Sequence, residues 1–345
     1  MSVGLPKKVL ITGGHEIGGI ASFAEGLRDG FTELGIPTGI VSPSRTLGHW
    51  PELRDPRVLK ILSTSAVFAA PFARRAICMA HGVPQANSQG WRTLVAVVAS
   101  FKLANLCSGV QLVSVSHYTA ASLLALYNIR TDAVVHNPVK PLYLESNDGP
   151  SCERCYVTYV GRLTVAKNLH RILPAVRDLL DENPGLRMCI IGVGEQRAEL
   201  EAMIGGDPRF EFKGAPDDLS VRDNLRRTRI FVSGNVAEGF GITYLEALTQ
   251  GCIVAMPASG GGLEISPENI GRSVQLFPLS LGRGEILATL RGALNEPRRP
   301  VQTASLNARA VADAYLKADS RFSSEGRVSH AFLAASSGLV HGGSR

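Results

Sequence analysis

Apolar runs of four to seven residues recur along the chain, each followed by a glycine-containing or polar turn. In the first part these runs are Lys8-Val9-Leu10-Ile11-Thr12 and residues 38–42, 58–62, 76–80 and 111–116. In the second they are residues 156–160, 186–192, 230–233 and 252–256. Runs so short and so evenly apolar predict strands buried on both faces, the habit of parallel sheets. Residues 20–34, 91–107, 169–181, 219–228, 277–294 and 301–318 carry helical spacing, and a further helix is expected to end at Arg74-Arg75. Strands that alternate with helices predict the α/β class. Residues 146–153, rich in Asn, Asp, Gly and Pro, read as a linker. The predicted division is therefore a first domain over 1–148 and a second over 149–320.

The length of 345 residues suits two domains of ordinary size, and 45% hydrophobic content supports large cores. Six cysteines, at positions 78, 107, 152, 155, 189 and 252, are scattered. Cys152 and Cys155 form a lone pair with no second pair to complete a zinc site, so no metal is predicted. Such usage fits a reducing cytoplasm. No apolar run reaches the ~20 residues of a membrane span. The chain starts into its first strand without the pattern of a signal peptide. A cytoplasmic protein is expected, with scope for peripheral contact at the inner face of a membrane. Residues 1–150 hold thirteen Lys and Arg against nine Asp and Glu. That excess fits an anionic lipid surface or a phosphorylated acceptor, and equally a solvated basic face. Nothing marks a nucleic-acid module.

The richest stretch is Ala237-Glu238-Gly239-Phe240-Gly241-Ile242-Thr243-Tyr244-Leu245-Glu246. A strand precedes it, and Gly251 stops the predicted helix before the next strand. Glu238 is expected in the loop and Glu246 about one turn or more into the helix. Gly239 and Gly241 leave the backbone bare between them. The N–H groups here, with those of Phe240 and Ile242, form an anion site at a helix N-terminus. Donors for phosphate with a carboxylate on each side suit a nucleotide sugar. By itself, a pair of Glu at this spacing is more often solvated surface. Upstream, Arg162 and Lys167 in Gly161-Arg162-Leu163-Thr164-Val165-Ala166-Lys167-Asn168 follow a strand end. There a guanidinium fork and a point charge suit a diphosphate.

Together these motifs resemble the Glu-x7-Glu turn and the Gly-Arg-Leu…Lys-Asn segment of retaining glycosyltransferases of family 4. The resemblance extends over most of the chain. His136-Asn137-Pro138-Val139 resembles that family's interdomain link, with Pro where Gly is usual. Residues 259–265 resemble its Gly-Gly…Glu turn. The resemblance implies a GT-B fold: two Rossmann-like domains facing a cleft, with the donor mainly on the second. It further implies a helix over 321–336 crossing back to the first domain; residues 337–345 read as a disordered tail.

The implied reaction moves a hexosyl unit from a UDP-sugar or GDP-sugar to a glycan or lipid-linked acceptor, with retention and no cofactor. Bacterial surface polysaccharide or lipopolysaccharide synthesis is the family habit. Arg162 and Lys167 are then expected at the diphosphate, Glu238 at the sugar hydroxyls and Glu246 at the ribose. Val193 lies in a loop expected near the base, while Gly18 and Gly19 let the first domain approach the donor. His81, at the carboxyl end of a strand where open α/β sheets bind ligands, is expected against the donor sugar. No Asp-x-Asp motif is present, so the cations stand where a metal would.

Two other classes stay open. Thr12-Gly13-Gly14 with Ile17-Gly18 resembles the cofactor loop of short-chain dehydrogenases, and Arg45 could serve a 2′-phosphate. That loop is one residue short, and no Tyr-x3-Lys pair exists in the chain. A catalytically idle nucleotide-sugar-binding subunit would carry the same donor motifs.

Overall fold

The computed structural model describes residues 4–13, 19–85, 90–145, 155–297, 301 and 304–325, without the side chains of 304 and 320–325. Twelve strands form two parallel six-stranded sheets among these residues. In the first domain β1 is Lys8–Thr12, β2 Thr38–Val41, β3 Val58–Leu62, β4 Ala76–Ala80, β5 Val110–Ser114 and β6 Ala133–Val134. Their order is β2-β1-β3-β4-β5-β6. In the second, β7 is Tyr156–Val160, β8 Arg187–Ile191, β9 Phe210–Gly214, β10 Thr228–Val232, β11 Ile253–Pro257 and β12 Val274–Phe277. Their order is β12-β11-β10-β7-β8-β9.

Central strands β3, β4, β5 and β11 are buried at every position, as their mostly apolar runs predict, with Lys60 of β3 and Gln111 and Ser114 of β5 buried among them. The strands that pattern reading misses are the edges. β9 carries Glu211 and Lys213 and is nowhere fully buried, and β6 has two residues. The start of β12 falls just before residues 277–294, which read as one helix. A short edge strand needs no apolar run, because one side faces solvent.

The helices are α1 (Gly19–Glu33), α2 (Trp50–Arg54), α3 (Trp91–Ala104), α4 (His117–Tyr127) and α5 (Leu169–Glu182). They continue with α6 (Arg197–Ile204), α7 (Asp218–Arg226), α8 (Ile242–Thr249), α9 (Arg283–Asn295) and α10 (Ala308–Glu325). The helix expected to end at Arg74-Arg75 is instead a 3₁₀ stretch, Thr64–Phe72, with Pro71 inside it. Proline removes the i→i−4 bond that an α-helix would need there.

The end of the chain also departs from expectation. One helix, α10, runs from 308 to 325 where a surface helix over 301–318 and a separate closing helix from 321 were expected. Val311, Ala312 and Tyr315 are buried on its inner face, and Asp319 pairs with Arg75 of the first domain, so nothing breaks the helix near 319. It packs on α1. A Cβ at Gly30 would stand 2.0 Å from the Ala308 carbonyl oxygen, so only glycine allows this approach. Residues 326–345, which include the rest of the expected closing helix and tail, lie outside the described residues.

Outer faces of the two sheets have their own cores, and a third apolar cluster runs between the domains, joining Phe23 and Tyr315 to Phe231 and Tyr244. Residues just past the carboxyl ends of β4 and β5 touch Gly239, past the end of β10, so the carboxyl ends of the two sheets meet there.

Candidate active site

Three loops of the second domain converge where β7, β8 and β10 end. Loops 161–163 and 192–194 touch backbone to backbone: Gly161 N–H donates to the Ile191 carbonyl and Leu163 N–H to that of Val193, both at 2.9 Å. A Cβ at Gly194 would lie 2.2 Å from the Leu163 oxygen. Asn168 adopts the left-handed region, φ 53°, and its Nδ2 donates to the Gly234 carbonyl at 3.0 Å. This bond ties the Lys167 loop to the end of β10. Tyr159 Oη donates to the Arg162 carbonyl at 2.7 Å and sets the turn that carries Arg162.

Lys167 Nζ then lies 2.9 Å from Glu238 Oε2. The same carboxylate oxygen accepts from Asn235 Nδ2 at 2.6 Å. Burial pushes the Glu238 carboxyl up, but Lys167, Asn235 and the Gly239 N–H outweigh it and hold the group below the usual carboxylate range. Glu238 is therefore an anion at neutral pH. The Arg162 guanidinium is exposed and has no hydrogen bond or ion pair among the described residues. Expected phosphate cations thus divide into one held against a carboxylate and one free.

The Glu238 turn meets the first domain directly. Gly239 rests on the His81–Gly82 backbone, where a Cβ would stand 2.4 Å from the His81 oxygen. The Gly239 carbonyl accepts from Ser116 Oγ at 2.6 Å and Thr119 Oγ1 at 3.3 Å. Gly261 N–H donates to the Glu238 carbonyl at 2.8 Å. His81 packs edge-on against Phe23, with centroids 4.6 Å apart. Its Nε2 is buried without a partner among the described residues. Burial pulls its pKa down to about 4, so the imidazole is neutral. A buried nitrogen with no partner at a strand's carboxyl end is the kind of group that a bound ligand satisfies.

Gly241, φ 93°, starts α8, and its carbonyl accepts from Tyr244 and Leu245 N–H. The open first turn of α8 begins at Ile242. Glu246, on the second turn, is 4% exposed. Burial pushes its pKa up to about 8, partly offset by Lys140 and reinforced by Asp218. Beside it, Lys140 Nζ reaches Glu25 Oε2 of α1 at 2.6 Å and Asp218 Oδ2 of α7 at 2.5 Å. One buried lysine on the interdomain link therefore joins both domains.

Of the residues singled out in sequence, His81, Lys167, Glu238 and Gly239 share one locus across the cleft. Val193 is exposed on the neighbouring loop, and Gly19 opens α1 with free space where a Cβ would be. The Phe240 side chain is buried and stacks on His136 at 5.1 Å, so only its backbone faces the turn. Ile242 is likewise mostly buried. Gly18 lies outside the described residues.

Sequence reading missed Asn235, Lys140, Ser116 and Glu264. Glu264 accepts from His117 N–H at 2.8 Å and Tyr118 N–H at 2.7 Å, capping a first-domain helix from the second domain. Its place in the Gly-Gly…Glu turn was the one local hint. No group of His, Cys, Asp and Glu among the described residues could hold a metal ion.

Residues 149–272 match the family described as glycosyl transferases group 1. The sulfoquinovosyl transferase SQD2 of Arabidopsis thaliana is 29% identical over 154 residues, covering 44% of this chain and 29% of that protein. The matches cover less than half the length of each curated relative. Among solved structures, Anabaena HepE in complex with UDP-glucose superposes with a TM-score of 0.63 at 16% identity, covering 92% of this chain and 98% of that one. WaaG, a glycosyltransferase involved in lipopolysaccharide biosynthesis, gives 0.63 at 15% identity, with 92% and 96% covered. The fold is that of these GT-B glycosyltransferases, as the motifs led one to expect.

Proposed function

We propose that this chain, whose second domain is of the glycosyl transferases group 1, is a retaining transferase. It moves a hexosyl unit from a UDP-sugar or GDP-sugar to a glycan or lipid-linked acceptor. The observation that carries this is the contact of the His81–Gly82 backbone with Gly239, next to the Lys167–Glu238 pair, across the domains. An orphaned neutral imidazole, a fixed carboxylate and two cations stand where two sheets present their carboxyl ends.

In the transfer the bond from the anomeric carbon to the diphosphate oxygen breaks, and a bond to the acceptor oxygen forms on the same face. The acceptor's proton leaves with the diphosphate. Arg162, Lys167 and the open first turn of α8 stabilise the charge that develops on the departing phosphate. These groups make the reaction independent of metal. Glu238 accepts from sugar hydroxyls, Glu246 from the ribose, and His81 bonds a sugar hydroxyl and orients the anomeric carbon. HepE's complex with UDP-glucose supports a uridine donor, and WaaG's part in lipopolysaccharide biosynthesis supports a lipid-linked acceptor, which would be met at a membrane surface. No observation favours the NADP-dependent alternative.

The test is incubation with a panel of UDP- and GDP-sugars in excess EDTA, with nucleoside diphosphate release and the anomeric configuration of the product measured. Retained configuration with activity surviving chelation is expected. Inverted product, or binding without any transfer or hydrolysis, would overturn the proposal.

A further inference from the structure

We infer that the outer face of the first domain, formed by α3 and the adjoining residues 64–72, docks on an anionic lipid bilayer. The inference deepens the proposed function by naming the surface that meets the membrane, and it rests on that proposal for the acceptor's location. The observations themselves concern only the surface.

A helix of α3's composition should be buried. It has 14 residues, and its only charges are Arg92 and Lys102. Yet only Phe101 and Ala104 are fully buried, against the sheet's outer core. Trp91 is 66% exposed, Val95 57%, and Leu106 just past the helix 78%. Leu103 is exposed as well. The face continues onto residues 64–72, on which α3 packs and which expose Phe68 and Phe72. The Phe72 ring meets Trp50 at 5.5 Å. Both tryptophans of the chain therefore stand on this one surface.

Charge decides between partners. α3 has two cations and no carboxylate. Arg92 lies over the Trp91 ring and Arg54 over Trp50, the arrangement of a cation at the rim of an apolar body. The nearby carboxylates of α2 and the residues after it are neutralised: Glu52 by Lys8, and Asp55 by Arg57 and Lys7. An apolar face with aromatic residues, rimmed by cations that no carboxylate among the described residues pairs, matches the interface of an anionic bilayer, where rings sit at headgroup depth and cations meet phosphates. A second copy of the same face would set those cations against one another. The helix begins ten residues after His81, on the chain that leaves the cleft end of β4.

The experiment uses the full chain and vesicles of phosphatidylglycerol or phosphatidylcholine. Because both tryptophans are on the surface, their fluorescence should shift to the blue with phosphatidylglycerol and change little with phosphatidylcholine. The double variant Val95→Glu/Leu103→Glu should lose at least tenfold in partitioning. Arg92→Glu/Lys102→Glu should lose the preference for anionic lipid. Nucleoside diphosphate release from the donor, followed with a soluble acceptor, should persist in both, which separates this surface from the transferase site. Failure of the native chain to bind either vesicle overturns the inference, as does unchanged binding by Val95→Glu/Leu103→Glu. A solution dimer that this variant dissociates would assign the face to self-association and overturn it too.

Discussion

The surroundings of Glu238 and Glu246 pull two identical side chains of one turn in opposite directions. Glu238 sits in the loop, beside a lysine and an asparagine amide, and is held as an anion. Glu246 sits in the helix behind it, where its carboxyl has no hydrogen bond among the described residues and burial pushes its pKa up to about 8. A carboxylate locked to a cation beside a cleft suits transition-state electrostatics. A protonated carboxyl can both donate and accept, which suits a pair of ribose hydroxyls. Residue type and spacing alone do not separate the two tasks; burial and the nearest cation do.

Glu238→Ala gives the sharpest test of that difference. Turnover with a sugar donor should fall by about 100- to 1000-fold, roughly 2.7–4 kcal/mol of barrier, while affinity for the free nucleoside diphosphate holds. Steady-state kinetics with calorimetric titration decides it; weakened nucleotide binding with unchanged turnover would reverse the two roles.

His81→Ala probes the same locus from the other domain. Loss of one orienting bond should cost turnover about tenfold to a hundredfold, roughly 1.4–2.7 kcal/mol. Diphosphate binding should be untouched. Native turnover in this variant would make the imidazole a packing group for Phe23.

Lys167→Ala should weaken diphosphate binding by roughly 1.5–3 kcal/mol, the scale of a lost charged hydrogen bond. It also strips Glu238 of its cation, so the Glu238 carboxyl should titrate higher in the variant. Arg162→Ala, whose guanidinium has no partner among the described residues, should weaken binding without that second effect. Equal behaviour of the two variants in a pH-dependent binding series would break the distinction.

Glu246→Gln tests the neutral carboxyl through stability. The folded pKa of about 8 lies above the usual 4.5. Between these values the native state keeps a proton that the unfolded state releases, so the native chain loses stability as pH rises through the window. The loss should be on the order of 3 kcal/mol by pH 8, and the Gln variant should lack it. Urea unfolding at pH 5 and pH 8 measures it. His81 acts with the opposite sign: its folded pKa near 4 makes stability fall as pH drops from 6.5 toward 4. Parallel pH slopes in the native chain and Glu246→Gln would show that Glu246 is already ionised.

Several elements were legible in the chain. The bounds of β1, β3, β4 and β7 coincide with the predicted runs, because a strand buried on both faces is apolar at most of its positions. The strand–glycine–helix order around Glu238 was equally plain, since Gly241 must take φ 93° where the helix starts. Edge strands β6 and β9 left none, and the chain's last helix was misjudged because a run of Ala, Asp and Ser hides a packed face.

The sequence by itself determined the α/β class, the two-part division of the motifs and which residues carry charge near the strand ends. Tertiary structure decided who meets whom. Ser116 and Gly239 are 123 residues apart, and Lys140 is 115 from Glu25 and 78 from Asp218. No local pattern encodes such partners, because they are brought together by packing one sheet's carboxyl ends against the other's. The ionisation of Glu246 follows the same rule: a carboxyl's charge is set by the water and cations around it, and these are known only once the chain has folded.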